Sequence, residues 1–572
     1  MRSRIGGVPL LLAGGMVSLP FLVPLHAEPI RSFYSEWLAG LFGLVALVAA
    51  IVQSRSPVRM PRFAMVLLAF ALVLLGNASS GMGAYPQMPL WGAGYVIYAS
   101  LMLWLGTILV ADHGLETSAE VLARFVVAAS LLNALAGLIQ WVGIPGVLSD
   151  FVAELPRGRA YGNIAQANLF ANFLAVGGAG LIFFWSRLSI STPIGLALGC
   201  LLAASGALSG SRAALVYPAY FVALALWFSH KNLENQELRR VVRASLMLFA
   251  VVLLAHGIAA LLSDSANDGT SFNRSGESLT SRWEVWREAW QIFLRAPWFG
   301  VGMGEFPGAL FDSASGALSD GSLVWSSPHN LILHLLSETG VAGAVMVVLA
   351  LIMWAIQAVR RVSDQPSAAQ WWLVALAGVE LLHSLWEFPL WSAHFLGLCA
   401  IAMGMSVASP VSSFVTIGIR TAGLAACGVL LAVLVWTMND FWRLDDVRVT
   451  GTSRALPRPW SGGDARELVR LGQGPLGPVA DYWRCEGTVP NRGNLDESLA
   501  LTARVMRFRP SADVAARRAL ALMTEGRLTE ANALVAKISQ SPISVRAALS
   551  VFGDSKSSES QALLRHLIGN AK

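Results

Sequence analysis

Long apolar runs separated by short polar stretches dominate the chain. A helix needs roughly 17–25 residues to cross about 30 Å of hydrocarbon. About thirteen runs approach that length, near 5–25, 36–53, 62–78, 91–111, 120–143, 166–186, 191–208, 212–229, 241–263, 338–359, 370–385, 391–408 and 415–437. Each is predicted to be a transmembrane helix, because a backbone in lipid must satisfy its hydrogen bonds within itself. The first run follows Met1-Arg2-Ser3-Arg4 as a signal-peptide core would. It is too long for such a core and more spans follow, so a retained first helix is expected. The pattern predicts an all-α polytopic membrane protein. Its expected parts are a transmembrane domain over 1–437, a long polar loop with interfacial helices over 264–337, and a small helical domain over 438–572.

Composition narrows the class. Of 572 residues, 55% are hydrophobic and only 13% charged, which excludes an ordinary soluble domain. The net charge of +6 resides largely in basic loops, and no basic, aromatic-interleaved segment suggests nucleic acid as a partner. Cys200, Cys399 and Cys427 fall inside apolar runs and Cys485 stands alone, so neither a disulfide framework nor a Cys/His metal spacing follows.

Arginine and lysine cluster in alternate short loops: Arg2 and Arg4; Arg55, Arg59 and Arg62; Arg187; Lys231, Arg239, Arg240 and Arg243; Arg360 and Arg361. Thirteen spans with an inside N-terminus put all of these on the cytoplasmic side. The loops 26–35, 79–90, 144–165, 209–211, 264–337 and 386–390, and the tail, then face outward.

The unusual polar residues collect on that outer side. Arg212, after Ser209-Gly210-Ser211, opens a span, either as a snorkelling helix-end arginine or as an anion ligand. Ser281 with Glu284 reads as a capping box, which puts Arg282 in the first turn of a helix whose Trp283, Trp286 and Trp290 share a face. Such a face suits the membrane interface or a packed surface equally. The run Pro297 to Gly304 is a glycine-rich turn that could offer N–H groups to phosphate, or simply turn. In Ser327-Pro328-His329-Asn330, serine suits an N-cap and proline the first helical position. His329 would then sit in the first turn of a helix running to Glu338, with a break at Gly340. A helix N-terminus disfavours an imidazolium and attracts phosphate, so His329 is a candidate neutral base; the alternative is a plain capping histidine. Arg159, Asn163, Gln166 and Asn168 lead into a span, where Asn163 and Gln166 also fit a capping pair and Asn172 continues the polar face. His383 and Glu387 flank an outer turn, Glu387 as counter-charge for an arginine or as a solvated acid. Arginines, amides, a histidine and a carboxylate on one face suit an anionic, membrane-embedded substrate.

At these residues the chain resembles the O-antigen ligase superfamily, and within it the bacterial PglL-type protein O-oligosaccharyltransferases. The long loop with Arg282 and Pro328-His329-Asn330, preceded by Ser211-Arg212, is similar to the shared ligase domain. Gly162-Asn163-x-x-Gln166-x-Asn168, with Pro24-x-His26 and Phe33-Tyr34-x-Glu36, resembles the motifs of the protein-glycosylating branch. The resemblance covers roughly 20–410. Where that branch often has Glu-Tyr-Pro-Leu this chain has Glu387-Phe388-Pro389-Leu390, so no tyrosine role transfers.

The resemblance implies transfer of a preassembled oligosaccharide from an undecaprenyl-pyrophosphate donor to Ser/Thr of an exported protein, such as a pilin or a Ser-rich periplasmic protein. The implied place is the bacterial inner membrane, with active site and C-terminus periplasmic, among membrane lipid and without metal or cofactor. His329 would be the base and Arg212 and Arg282 the pyrophosphate ligands, with Arg159, Asn163, Gln166, Asn168, His383 and Glu387 lining the substrate. Alternatives are a ligase acting on lipid A–core, an O-antigen polymerase and, in another class, a transporter or flippase. A transporter would place its polar residues near mid-bilayer rather than at one edge. In the tail, Arg443 to Gly493 shows no periodicity, while Ser511 to Lys537 reads as two short helices joined at Gly526, similar to one tetratricopeptide-like unit.

Overall fold

In a computed structural model, the residues described are 7–27, 30–54, 60–81, 83–143, 148, 150–154, 158–232, 234–262, 277–313, 325–408, 417–447 and 465–538. Every apolar run becomes helical. The helices are α1 (Val8–Met16), α2 (Phe33–Gln53), α3 (Arg62–Ser80), α4 (Gln87–His113), α5 (Leu115–Val142), α6 (Ala167–Ser186), α7 (Thr192–Leu208), α8 (Ala213–Lys231), α9 (Gln236–Leu262), α12 (Leu331–Asp364), α13 (Ala368–His383), α14 (Ala393–Val407) and α15 (Ile417–Val447). Between α9 and α12 lie α10 (Glu277–Arg295) and α11 (Phe306–Asp312). The tail adds α16 (Ala465–Leu471), α17 (Gly477–Gly487), α18 (Leu495–Phe508), α19 (Ala512–Glu525) and α20 (Leu528–Ile538). Among the described residues there is no β-strand, and nine helices are long and apolar enough to cross a membrane. The protein is an all-α polytopic membrane protein.

The first expected span is shorter than its run. α1 ends at Met16, and the chain continues as a 3-10 turn, Leu19–Leu22, with Pro20 near its start. α13 has only 16 residues and holds Gln370 and Glu380 in its buried face.

The chain divides into two units, 1–69 with 94–278 and 346–435, and 70–93 with 279–345 and 436–572. In the first, aromatic side chains fill the core: Trp104, Trp371, Trp372, Tyr217 and Phe221 are almost fully buried. Phe21, after α1, stacks on Phe173 of α6 with ring centroids 3.9 Å apart.

In the second unit, α10 buries Val285, Ala289 and Ile292 against Phe306 and Leu310 of α11. Its tail stretch read as aperiodic holds α16 and α17, which are too short and too punctuated by Gly and Pro to register as a repeat. The predicted pair joined at Gly526 is α19 and α20, with Gly526 at φ +94° in the left-handed region. Ala515, Ala516 and Ala519 pack with Val535 and Ile538, and Phe311 of α11 joins that core. Arg507 of α18 pairs with Glu305 at the start of α11. The Tyr85 hydroxyl donates to Asp481 Oδ2 at 3.2 Å.

One backbone feature orders the long loop. Gly340 breaks α12 with φ +63° and ψ −166°, a conformation essentially reserved for glycine. The chain 297–302 crosses α12 there: Val301 N donates to Ser337 O (2.9 Å) and Gly302 N to Glu338 O (3.1 Å), while Val341 N donates to Pro297 O (2.8 Å) and Ala342 N to Trp298 O (3.2 Å). The crossing is so close that a Cβ on Gly300 would lie 2.3 Å from Glu338 C, and one on Gly340 2.4 Å from Trp298 C. The expected break is present. The glycine run, however, serves this crossing: Gly302 N–H is spent on Glu338 and Gly300 N–H on Ala296 O at 2.9 Å, so neither is presented to a phosphate.

Candidate functional site

In the first unit the sequence-predicted residues fall into two kinds. Asn163 is a staple. Its Nδ2 donates to Leu22 O (3.0 Å) and Phe151 O (2.8 Å), and its Oδ1 accepts from Ala153 N (3.0 Å). Its own N–H donates to Asn133 Oδ1 at 3.0 Å, and Asn133 Nδ2 reaches Phe21 O at 2.8 Å. Gln140 joins the same work, donating from Nε2 to Ala153 O (2.7 Å) and Gly162 O (2.8 Å) and accepting from Gly162 N (2.9 Å). Gln166 is the N-cap of α6, its side chain accepting from Leu169 N. Asn133 and Gln140 escape sequence reading although the signal is there, two amides inside an apolar run. His26 closes the staple, with Nδ1 3.0 Å from Arg31 O and Nε2 3.0 Å from Asn163 O. Burial pushes its pKa below the ordinary histidine value against the opposing pull of those two carbonyls.

Arg159, Asn168 and Glu387 form a connected set. Asn168, second residue of α6, accepts from Arg159 Nη2 at 3.2 Å and donates from Nδ2 to Glu387 Oε1 at 2.7 Å. Arg159 and Glu387 thus bond to the same amide. Arg159 Nε donates to Ser209 O at 2.7 Å, three residues before Arg212. Arg212 occupies the N-cap position of α8. His383, the last residue of α13, shares a hydrogen bond between Nδ1 and the hydroxyl of Tyr217 on α8. One turn deeper, Asn172 Nδ2 donates to Glu380 Oε2 at 3.3 Å. Tyr217 and Glu380 were not legible as partners, though an acid inside an apolar run is a signal in itself.

In the second unit, α10 begins at Glu277, one turn earlier than the capping box suggests. Ser281, whose side chain lies outside the described residues, is therefore within the helix, and Arg282 is in its second turn. Trp283 and Trp290 are exposed, whereas Trp286 is half-buried and donates from Nε1 to Pro328 O at 2.8 Å. Arg282 lies one turn before that tryptophan, on the same side of α10.

His329 differs from expectation. α12 starts at Leu331, and its cap is Asn330, whose Oδ1 accepts from Leu333 N at 3.0 Å. Asparagine outcompetes the serine for this place, and Ser327 Oγ instead accepts from His329 N at 3.3 Å. His329 therefore precedes the helix, with φ +51° in the left-handed region, a conformation costing a non-glycine residue about 1–2 kcal/mol. Its imidazole meets the Trp325 ring edge-on at 4.7 Å between centroids. Capping, the indole bond at Pro328 and the Trp325 contact hold the residue in this strained pose. Behind it on α12, His334 and Glu338 pair at 3.3 Å, and Glu338 Oε1 also accepts from Phe306 N at 3.2 Å.

Comparison with known families adds what geometry does not. Residues 194–348 match the O-antigen ligase family. That stretch is similar to an O-antigen ligase domain. Residues 371–540 match a second family, described as virulence factor membrane-bound polymerase, C-terminal. No curated protein matches the chain. The ligase-family match contains Arg212, Arg282 and His329; the second match contains Glu380, His383, Glu387 and the described tail helices. Arg159, Asn163, Gln166 and Asn168 precede both. The two matches point to glycan transfer by a glycosyltransferase-like enzyme.

Proposed function

We propose that the protein transfers a preassembled oligosaccharide from undecaprenyl pyrophosphate to serine or threonine hydroxyls of an exported protein, with its site and tail on the periplasmic side of a bacterial inner membrane. The observation that carries this is the O-antigen ligase match, which encloses Arg212, Arg282 and His329 together. The alternation of basic loops supports the sidedness, and the 162–168 motif supports a protein acceptor.

His329 takes the proton of the acceptor hydroxyl as that oxygen attacks the anomeric carbon. The new glycosidic C–O bond forms while the bond to the pyrophosphate oxygen breaks, and the leaving electron pair stays on the pyrophosphate. Arg282 and Arg212 bind the charge that grows there. Direct displacement inverts the anomeric centre. Arg159, Asn168 and Glu387 bind the donor's polar head, Asn163, Gln166 and His383 position them, and the tail helices help hold the acceptor. A polymerase, with a second glycan as acceptor, is the second reading, favoured by the match at 371–540.

The test is expression in a strain that lacks its own O-antigen ligase but makes a lipid-linked glycan, with an exported Ser-rich acceptor. Glycan on the acceptor protein is expected; glycan only on lipid A–core, or only as longer polymer, sinks the protein reading. His329→Ala should lower transfer at least about a hundredfold while the purified variant stays folded.

A further inference from the structure

Glu380 sits on the buried face of α13 with no exposed surface, and Asn172 of α6 is equally buried. The carboxyl receives one hydrogen bond, from Asn172 Nδ2 to Oε2 at 3.3 Å, and no arginine or lysine among the described residues pairs with it. Two atoms of this couple are left without hydrogen-bond partners, Glu380 Oε1 and Asn172 Oδ1. In an ionised carboxylate both are acceptors, so neither can satisfy the other. An unpaired charge inside a helical bundle in lipid is also the most expensive state available to the group. One proton removes both difficulties: placed on Oε1, it turns that oxygen into a donor whose natural acceptor is Asn172 Oδ1.

We infer that Glu380 and Asn172 form a neutral acid–amide pair, each group donating once and accepting once, and that Glu380 is a positioning residue for the glycan-transfer site. The pair fixes the register of α13 against α6. Asn168 lies one turn from Asn172 on α6, and Glu387 lies two turns beyond Glu380, where Glu387 N–H still bonds to His383 O at 2.9 Å. The Asn168–Glu387 bond, and Arg159 with it, therefore rests on the deeper pair. Tyr217 of α8 braces the same face through its bond to His383 of α13. The positioning role rests on the function proposed above; the protonation of the pair does not.

Purified protein at neutral pH should show an infrared carboxylic-acid carbonyl band that is missing from Glu380→Gln. Loss of no such band would mean an ionised Glu380 and would overturn the pair, whatever the protein transfers. In the transfer assay, Glu380→Gln, which keeps a neutral donor and acceptor, should stay within about twofold of the parent, whereas Glu380→Leu should fall about tenfold or more. Abolished transfer in Glu380→Gln would show that the charge itself is needed and refute the inference. Because Glu380→Leu can fail by misfolding, the exchange Asn172→Asp with Glu380→Gln supplies a second arm. Asn172→Asp alone sets two carboxyls face to face and should lower the unfolding midpoint, and the double variant should restore it. A midpoint not restored by the exchange counts against the pair. Should the parent transfer no glycan at all, the proposed function fails, and the infrared and exchange arms still decide the pair.

Discussion

Asn163, Asn133, Gln140 and His26 show how a few amides and an imidazole replace regular structure around the entrance to α6. Both side-chain polar atoms of Asn163 are bonded to backbone, so its proposed positioning role acts through the loop it fixes. His26 gives this staple a pH dependence. Burial lowers its folded-state pKa below the unfolded value near 6.5, so the folded protein binds fewer protons in the window beneath 6.5. Its contribution is complete above that value and declines as the pH falls through it. The thermal midpoint in detergent should drop between about pH 7 and 5, and His26→Gln should show a shallower drop. An unchanged slope would remove His26 as a cause. At this scale the sequence singled out Asn163 and His26 but not Asn133 or Gln140, and it could not assign their roles. His329 is the clearest instance, since the choice between Ser327 and Asn330 as cap turns on which side chain reaches the free N–H groups.

Among elements, the crossing of 297–302 over broken α12 is the most constrained. Both glycines at the contact have positive φ and no room for a Cβ. Gly340→Ala should cost about 2–4 kcal/mol of stability, read as a lower unfolding midpoint and poor yield. Gly76→Ala in α3, where a Cβ meets nothing within 4 Å, is the control and should be neutral or slightly stabilising. The positions of the thirteen apolar helices were legible because each is set by its own local hydropathy. The crossing was not, because Gly300 and Gly340 are meaningful only as a pair and lie forty residues apart in sequence. The short helices α16 and α17 escaped for a related reason: their apolar positions are completed by neighbours rather than by a repeat of their own.

At the scale of the molecule, long-range polar contacts tie the tail to the loops within the second unit. Arg507 with Glu305 is the most informative. Burial pushes the Glu305 carboxyl up, and the Ala84 N–H and Arg507 hold it down. In Arg507→Ala the carboxyl loses its cation yet stays buried, so it tolerates the neutral form and resists ionisation. The stability deficit of this variant should therefore be larger at pH 8 than at pH 5 by unfolding in detergent, and a pH-independent deficit would argue against the ion pair. The bridge joins residues about two hundred positions apart, and no local pattern announces it. The crossing at Gly340 has one more consequence. Its four backbone bonds close residues 302–337 at a neck, turning the stretch that carries α11 and His329 into a loop whose ends are fixed independently of what lies between them. Lengthening a loop costs only about 0.6 kcal/mol per doubling once its ends are held. Length can thus vary within this loop without releasing its ends, whereas His329 keeps its pose only while Trp325, Trp286 and Asn330 remain.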